Sequence, residues 1–238
     1  MTAIGLLYPG YAAEDDYPYM QGHLPEDIEL AVVHTSQGVD AHEVEALLDL
    51  GSSARLLEGA ERLRGRVAAL MWACTSGSFV FGWQGARDQV AELTDAIGVP
   101  ASSTSIAFLD ALGHIGAGTV AVAATYPEDV SRHFADFLTA GGIEVLEMVS
   151  HDIPTAAEAG ELPGAEVIAL ATSHDSPRAE AVLLPDTALH TARLLPELER
   201  ALGKPVLTAN QVTVWKGLDL AGRRVSAPPL GSLFGGRP

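Results

Sequence analysis

Ala69-Leu70-Met71-Trp72-Ala73-Cys74-Thr75-Ser76 is the stretch on which the fold reading turns. An apolar run ends in small polar residues, and the helical pattern Phe79–Ile97 follows. A short continuous apolar run bounded in this way reads as a strand buried on both faces, the kind found in parallel sheets. Leu183-Leu184-Pro185-Asp186-Thr187 repeats the layout, and Cys74 and Asp186 lie 112 residues apart, about half of a 238-residue chain. Two like halves, each placing one reactive side chain at the carboxyl end of a strand, account for the echo. Ligands of open α/β sheets bind at that end. A chance likeness between two strand–helix junctions is the plain alternative.

Working outward, the runs Ile4–Tyr8, Leu30–His34, Val67–Ala73, Thr119–Ala124, Ile143–Val149 and Ala181–Leu184 read as strands. Amphipathic stretches separate them. His42–Leu63 is a helical pattern broken near Gly51, and Phe79–Ile97, Ser105–His114, Glu128–Ala140, Ala188–Leu202 and Gln211–Leu220 follow. Val167–Thr172 could be strand or helix. A helix over Glu166–His174 is preferred, because a parallel crossover into Ala181–Leu184 needs one. The alternation predicts an α/β protein with parallel sheets flanked by helices, and the echo points to two similar lobes. The expected division is residues 1–103 with 209–238 in the first lobe and 104–208 in the second.

Composition narrows the function classes. Hydrophobic residues make up 47% and charged residues 19%, which supports a packed core. Lys and Arg number 14 against 31 Asp and Glu, a formal charge of −17, so a nucleic-acid partner is not expected. The single cysteine excludes an internal disulfide and a multi-cysteine zinc site. No apolar stretch has the length of a membrane span, and Met1-Thr2-Ala3-Ile4-Gly5 carries no basic region ahead of its apolar residues. The expectation is a soluble, cytoplasmic chain.

Cys74 stands out because a helix beginning just after it would turn free N–H groups toward the thiol. Such a helix end favours thiolate and lowers a cysteine pKa from about 8.5. The ordinary role of a lone cysteine is a buried structural one. Thr75 and Ser76 add hydroxyls that suit an anion. Asp186 precedes the Ala188–Leu202 pattern and is either a helix N-cap or a general acid or base. His190, four residues on, would share a helix face with Asp186 if the helix started early; otherwise it is a half-exposed surface imidazole. Tyr126 follows the Thr119–Ala124 strand, where its hydroxyl could donate to a carboxylate or its ring could simply fill the core. His151-Asp152 and His174-Asp175 have the composition of metal ligands but only two residues each, and no metal site is expected. Gly116-Ala117-Gly118 precedes a strand, whereas a dinucleotide loop must follow one. The nucleophile elbow G-x-S-x-G is absent.

These residues together resemble the aspartate/glutamate racemase superfamily, and within it the maleate isomerase and arylmalonate decarboxylase branch. The likeness runs through Gly5-Leu6-Leu7-Tyr8-Pro9, the Cys74 strand and turn, Gly98-Val99-Pro100 and Val120–Tyr126. It continues through Leu183-Leu184-Pro185-Asp186-Thr187 and ends in Leu202-Gly203-Lys204-Pro205-Val206-Leu207. The resemblance implies two pseudo-symmetric α/β lobes with the active site in the cleft between them, and an enzyme working without metal or organic cofactor through a planar enolate-like intermediate. Thr75, Ser76, Tyr126 and the Thr187 amide match its carboxylate pocket, Pro9 and Gly10 its first cleft loop, and Cys74 the first of its two cysteine positions. The second position is Asp186 here. Typical racemases and isomerases carry cysteine at both, and the decarboxylase carries glycine at the first. The resemblance also implies a homodimer.

The leading expectation is therefore a cofactor-independent isomerase of a small carboxylic acid, of cis–trans or racemase type, with Cys74 and Asp186 as the catalytic pair. Decarboxylation of a malonate-type diacid, with Cys74 protonating the enediolate, is the alternative enzyme. A catalytically inactive carboxylate-binding relative is the alternative from another class, motivated by Asp186 in place of a thiol.

Overall fold

The computed structural model describes residues 1–173 and 176–235. The first half of the chain runs β1 (Thr2–Pro9), α1 (Asp16–Gln21), β2 (Ile28–Thr35), α2 (Val44–Leu50), α3 (Ser53–Glu61), β3 (Ala69–Trp72), α4 (Ser76–Phe79), α5 (Gly82–Ile97) and β4 (Ala101–Ser103). The second runs α6 (Thr104–Ile115), β5 (Thr119–Ala124), α7 (Glu128–Ala140), β6 (Glu144–Ser150), α8 (Ala156–Gly160), α9 (Gly164–Thr172), β7 (Ala181–Leu184), α10 (Leu195–Leu202) and β8 (Val206–Thr208). Helices α11 (Ala209–Leu220) and α12 (Ser232–Gly235) close the described chain.

The strands form two four-stranded sheets, ordered β2-β1-β3-β4 and β6-β5-β7-β8, with every pairing parallel. Each sheet places its first strand between its second and third, so the second half repeats the topology of the first. Under this repeat β3 corresponds to β7. Cys74 stands two residues beyond Trp72 at the end of β3, and Asp186 two residues beyond Leu184 at the end of β7. The two-lobed α/β architecture expected from the sequence is the one observed.

The core follows the period-two alternation of strands. In the second sheet Val120, Val122, Ala124, Ala181 and Leu183 join a large core shared with β1 and β3. Ala121, Ala123, Val182 and Leu184 point the other way, into a smaller core under α9 and α10. The shared core joins the two halves, and α11 seats against the first sheet through a glycine. A Cβ on Gly217 would lie 2.4 Å from the Ile4 side chain.

Several expected elements are corrected. The Phe79–Ile97 pattern is split between two helices, α4 and α5, and Gly82, the first residue of α5, takes φ +70° at the break. The Ala188–Leu202 pattern is helical only from Leu195. The N–H groups of Thr191 and Ala192 donate to the Asp16 carboxylate at 3.0 and 3.1 Å, which holds residues 187–194 in turns instead. Helix α9 occupies the ambiguous segment, as preferred. The three-residue strands β4 and β8 and the helix α1 were not anticipated. The His174-Asp175 pair lies outside the described residues.

Candidate active site

The carboxyl ends of β1, β3, β5 and β7 converge, and a small cavity lies among them. Pro9, Cys74, Ser76, Asp186 and Thr187 line it, so five of the expected residues meet there. Gly10, Thr75 and Tyr126 stand just behind them. Gly10, at φ +64°, packs against the Gln37 side chain and accepts a 2.6 Å hydrogen bond from His34. The enclosed part of the cavity has room of about 30 Å³, and the segment spanning residues 37 to 42 forms one wall of it. That segment is fastened across the cleft. The Asp40 carboxylate accepts from the N–H groups of Ala156 and Ala157 at 3.0 and 3.1 Å, and His42 donates its N–H to the Pro154 carbonyl at 2.7 Å.

Cys74 is 3% exposed. The Gly77 N–H donates to its Sγ at 3.3 Å, and the Ser76 hydroxyl lies at 3.8 Å. The expected lowering of its pKa does not occur. Burial dominates and pushes the thiol up to about 12, the Asp186 charge adds to the rise, and the Gly77 and Ser76 contacts only partly offset it. The helix after Cys74 is a single turn, too short to overcome desolvation. Its position rests on two close approaches. A Cβ on Gly51 would lie 2.0 Å from the Gly77 carbonyl oxygen, so only glycine lets α2 end there. The buried Gln89 amide then donates to the carbonyls of both Gly51 and Gly77, at 2.7 and 3.0 Å.

Asp186 is 4% exposed and held at both oxygens. Thr125 donates its hydroxyl to Oδ2 at 2.5 Å and Ala188 its N–H to Oδ1 at 2.9 Å. It therefore caps the local 186–189 turn and not α10, whose first residue is nine positions on. Neighbouring carbonyls are braced as well. Tyr126 donates to the Pro185 carbonyl at 3.0 Å, and Tyr8 and the Asn210 amide donate to that of Thr187 at 3.0 and 3.2 Å. The Asn210 amide also donates to buried Asp16, and Tyr17 donates to the Asn210 Oδ1. Burial pushes the Asp16 carboxyl up, against the Asn210, Thr191 and Ala192 donors that favour its charge.

Thr75 and Ser76 face the Tyr126 phenol, whose pKa burial raises well above 10. The ring keeps its proton and can donate. The Thr75 hydroxyl is buried without a hydrogen-bond partner among the described residues. His190 takes no part. Its Nδ1 pairs at 2.9 Å with surface Asp15, because the turn at 187–189 breaks the helix face it was expected to share with Asp186. Gln37, Asp40, His42 and Tyr8 also line the cavity and were not singled out from the sequence. Only the position of Tyr8 beside Pro9, at the end of a strand, could have marked one of them.

Two matched α/β halves with an acid-bearing cavity at their strand ends define a cleft enzyme. The arylmalonate decarboxylase family model matches residues 35–234, and the chain belongs to that family. It is 30% identical to the arylmalonate decarboxylase of Bordetella bronchiseptica over 212 residues, 84% of this chain and 81% of that protein. It is 31% identical to the maleate isomerase of Geobacillus stearothermophilus over 141 residues, 58% of this chain and only 55% of that one. Among solved structures, a liganded arylmalonate decarboxylase variant has a TM-score of 0.86 at 26% identity, covering 98% of this chain and 99% of that one. That variant carries one glycine-to-cysteine and one cysteine-to-serine change. The Nocardia farcinica maleate cis-trans isomerase has a TM-score of 0.89 at 20% identity, covering 98% of each chain, a likeness of fold. No helix among the described residues is long and apolar enough to cross a membrane.

Proposed function

We propose that this chain is a cofactor-independent enzyme that makes an enolate-like intermediate from a small carboxylic acid and returns a proton to it from Cys74. The observation that carries the reading is the buried Cys74 thiol in the same cavity as the Asp186 carboxylate, which is held at both oxygens; burial raises the thiol's pKa and so favours its protonated form. Thr75 and Ser76 supply hydroxyls for the substrate carboxylate and for the charge that develops on it, and Tyr126 joins them by turning its O–H away from the Pro185 carbonyl, at up to ~3 kcal/mol each in the transition state. In an isomerase of racemase type, Asp186 takes the α-proton from one face and Cys74 gives one to the other. The covalent cis–trans route starts from a thiolate and fits this site less well, since burial opposes that form.

Decarboxylation of a malonate-type diacid is the second reading. It needs only one acid, which the neutral thiol is, and arylmalonate decarboxylase is among the chain's relatives over most of its length. The carbon–carbon bond to the leaving carboxylate breaks, carbon dioxide departs, and the enediolate takes the Cys74 proton. Proton NMR in D₂O with a panel of carboxylic acids separates the routes. α-Proton exchange without loss of carbon supports the isomerase; carbon dioxide loss with one α-deuteron in the product supports the decarboxylase. Neither change with any acid, alongside measurable binding, would make the chain a carboxylate binder.

A further inference from the structure

The thiol and the hydroxyls leave one need of the cavity unmet, the attraction of an anion into a protein of formal charge −17. Asp40 and Asp186 both line the cavity, and neither lysine nor arginine does. His42 is the one lining side chain that can carry positive charge. It is 5% exposed, and its ring is fixed on two sides. Its Nδ1 lies 2.7 Å from the Ile153 carbonyl oxygen, and the ring stands edge-on to Tyr126 with centroids 4.9 Å apart. A carbonyl only accepts, so Nδ1 carries a hydrogen and the tautomer is set. Nε2 makes no hydrogen bond among the described residues, yet it is not one of the buried atoms sealed from solvent. His42 lines the cavity.

We propose that His42 is a substrate-binding residue whose Nε2 takes up a proton as the acid binds and holds a second carboxylate, so that it selects diacids over monoacids. The proposal rests on the reading above only for the place of the first carboxylate, among Thr75, Ser76 and Tyr126. Both carboxylates near the ring are committed: the Asp40 oxygens accept from the α8 amides, and the Asp186 oxygens from Thr125 and Ala188. The ionisable groups around His42 are Asp40 on its own segment, Tyr126 against the ring, Cys74, Asp186 and Tyr8 across the cavity, and Asp152 beside Ile153. Cys74 and the two tyrosines stay neutral, so the charged groups nearby are carboxylates. In the neutral tautomer Nε2 presents a lone pair, which repels a carboxylate. Binding therefore forms a new Nε2–H with a proton from solvent, and the carboxylate stays anionic.

Isothermal titration calorimetry of malonate and propionate at pH 8, in HEPES and in Tris, tests this without requiring turnover. The difference in enthalpy between the buffers reports protons taken up. The expected result is close to one proton per malonate in the wild type. His42→Gln should abolish that uptake and weaken malonate by about 10–100-fold, the scale of a charge-assisted hydrogen bond, while leaving propionate unchanged. Three results would overturn the proposal: no uptake in the wild type, no malonate binding at millimolar concentration, or the same malonate preference and uptake in a folded His42→Gln protein. Each of these leaves α-proton exchange in D₂O untouched, so failure here is distinct from failure of the Cys74 reading.

Discussion

The junctions after β3 and β7 occupy equivalent places in the two halves and treat their reactive groups in opposite ways. Cys74 receives one N–H at 3.3 Å and is otherwise held by burial, which keeps it protonated. Asp186 has both oxygens bonded, and the carbonyls on either side of it are braced by Tyr126, Tyr8 and Asn210. Topology sets where a group stands, and the local partners decide whether it gives a proton or stays put as an acceptor. A pseudo-symmetric fold can therefore hold a thiol and a carboxylate at equivalent places in unlike surroundings.

Removing the thiol should break the comparison most severely. Cys74→Ala is expected to lower turnover by about 10⁴-fold, the upper end for a lost acid–base group, with little change in the thermal midpoint. Asp186→Asn is expected to cost about 10²-fold if the isomerase route operates. Stability should fall only slightly, because the amide oxygen can still accept from Ala188. Steady-state rates and melting curves on the same samples check both, and an Asp186→Asn protein with full isomerase turnover would leave Cys74 acting alone.

Two stability measurements sharpen the contrast. Cys74 is raised from 9.0 to about 12, so the folded state holds its proton where the unfolded chain has lost it. Stability from this group is complete below pH 9 and is lost as pH rises toward 12, a change on the order of 4 kcal/mol. Denaturant melts across that range should show the decline, and Cys74→Ala should flatten it. On the other junction, Asn210→Ala strips partners from Asp16, Tyr17 and the Thr187 carbonyl. The expected loss is about 2–3 kcal/mol, from buried polar groups left unpaired. His190→Ala is the smallest case. It removes an exposed pair with Asp15 and should change stability by less than about 0.5 kcal/mol and turnover not at all.

The two-lobed fold was legible because its strands are apolar runs and its helices carry a 3.6-residue period, and because Cys74 and Asp186 recur in one layout. Of the candidate site, the residues that stand at strand ends were legible as neighbours, as Pro9, Cys74, Tyr126 and Asp186 are. What stayed hidden depends on contacts distant in sequence. Nothing local in Thr191 and Ala192 says that their N–H groups go to Asp16 rather than into a helix, 175 and 176 positions away. Strands β4 and β8, at three residues each, are too short to show a period. His42 sat within a helical pattern and became visible only when Ile153 and Tyr126 closed around it. The pKa of Cys74 was misjudged because a helix end can be read from sequence and the depth of burial cannot.

The most direct test of the central claim, that Cys74 rests as a protonated acid, is its rate of alkylation by iodoacetamide between pH 7 and pH 10. The account predicts slow modification that rises tenfold per pH unit through pH 10 without levelling off. A plateau at or below pH 9 would show that the site holds a thiolate, and would contradict Cys74 as the proton donor.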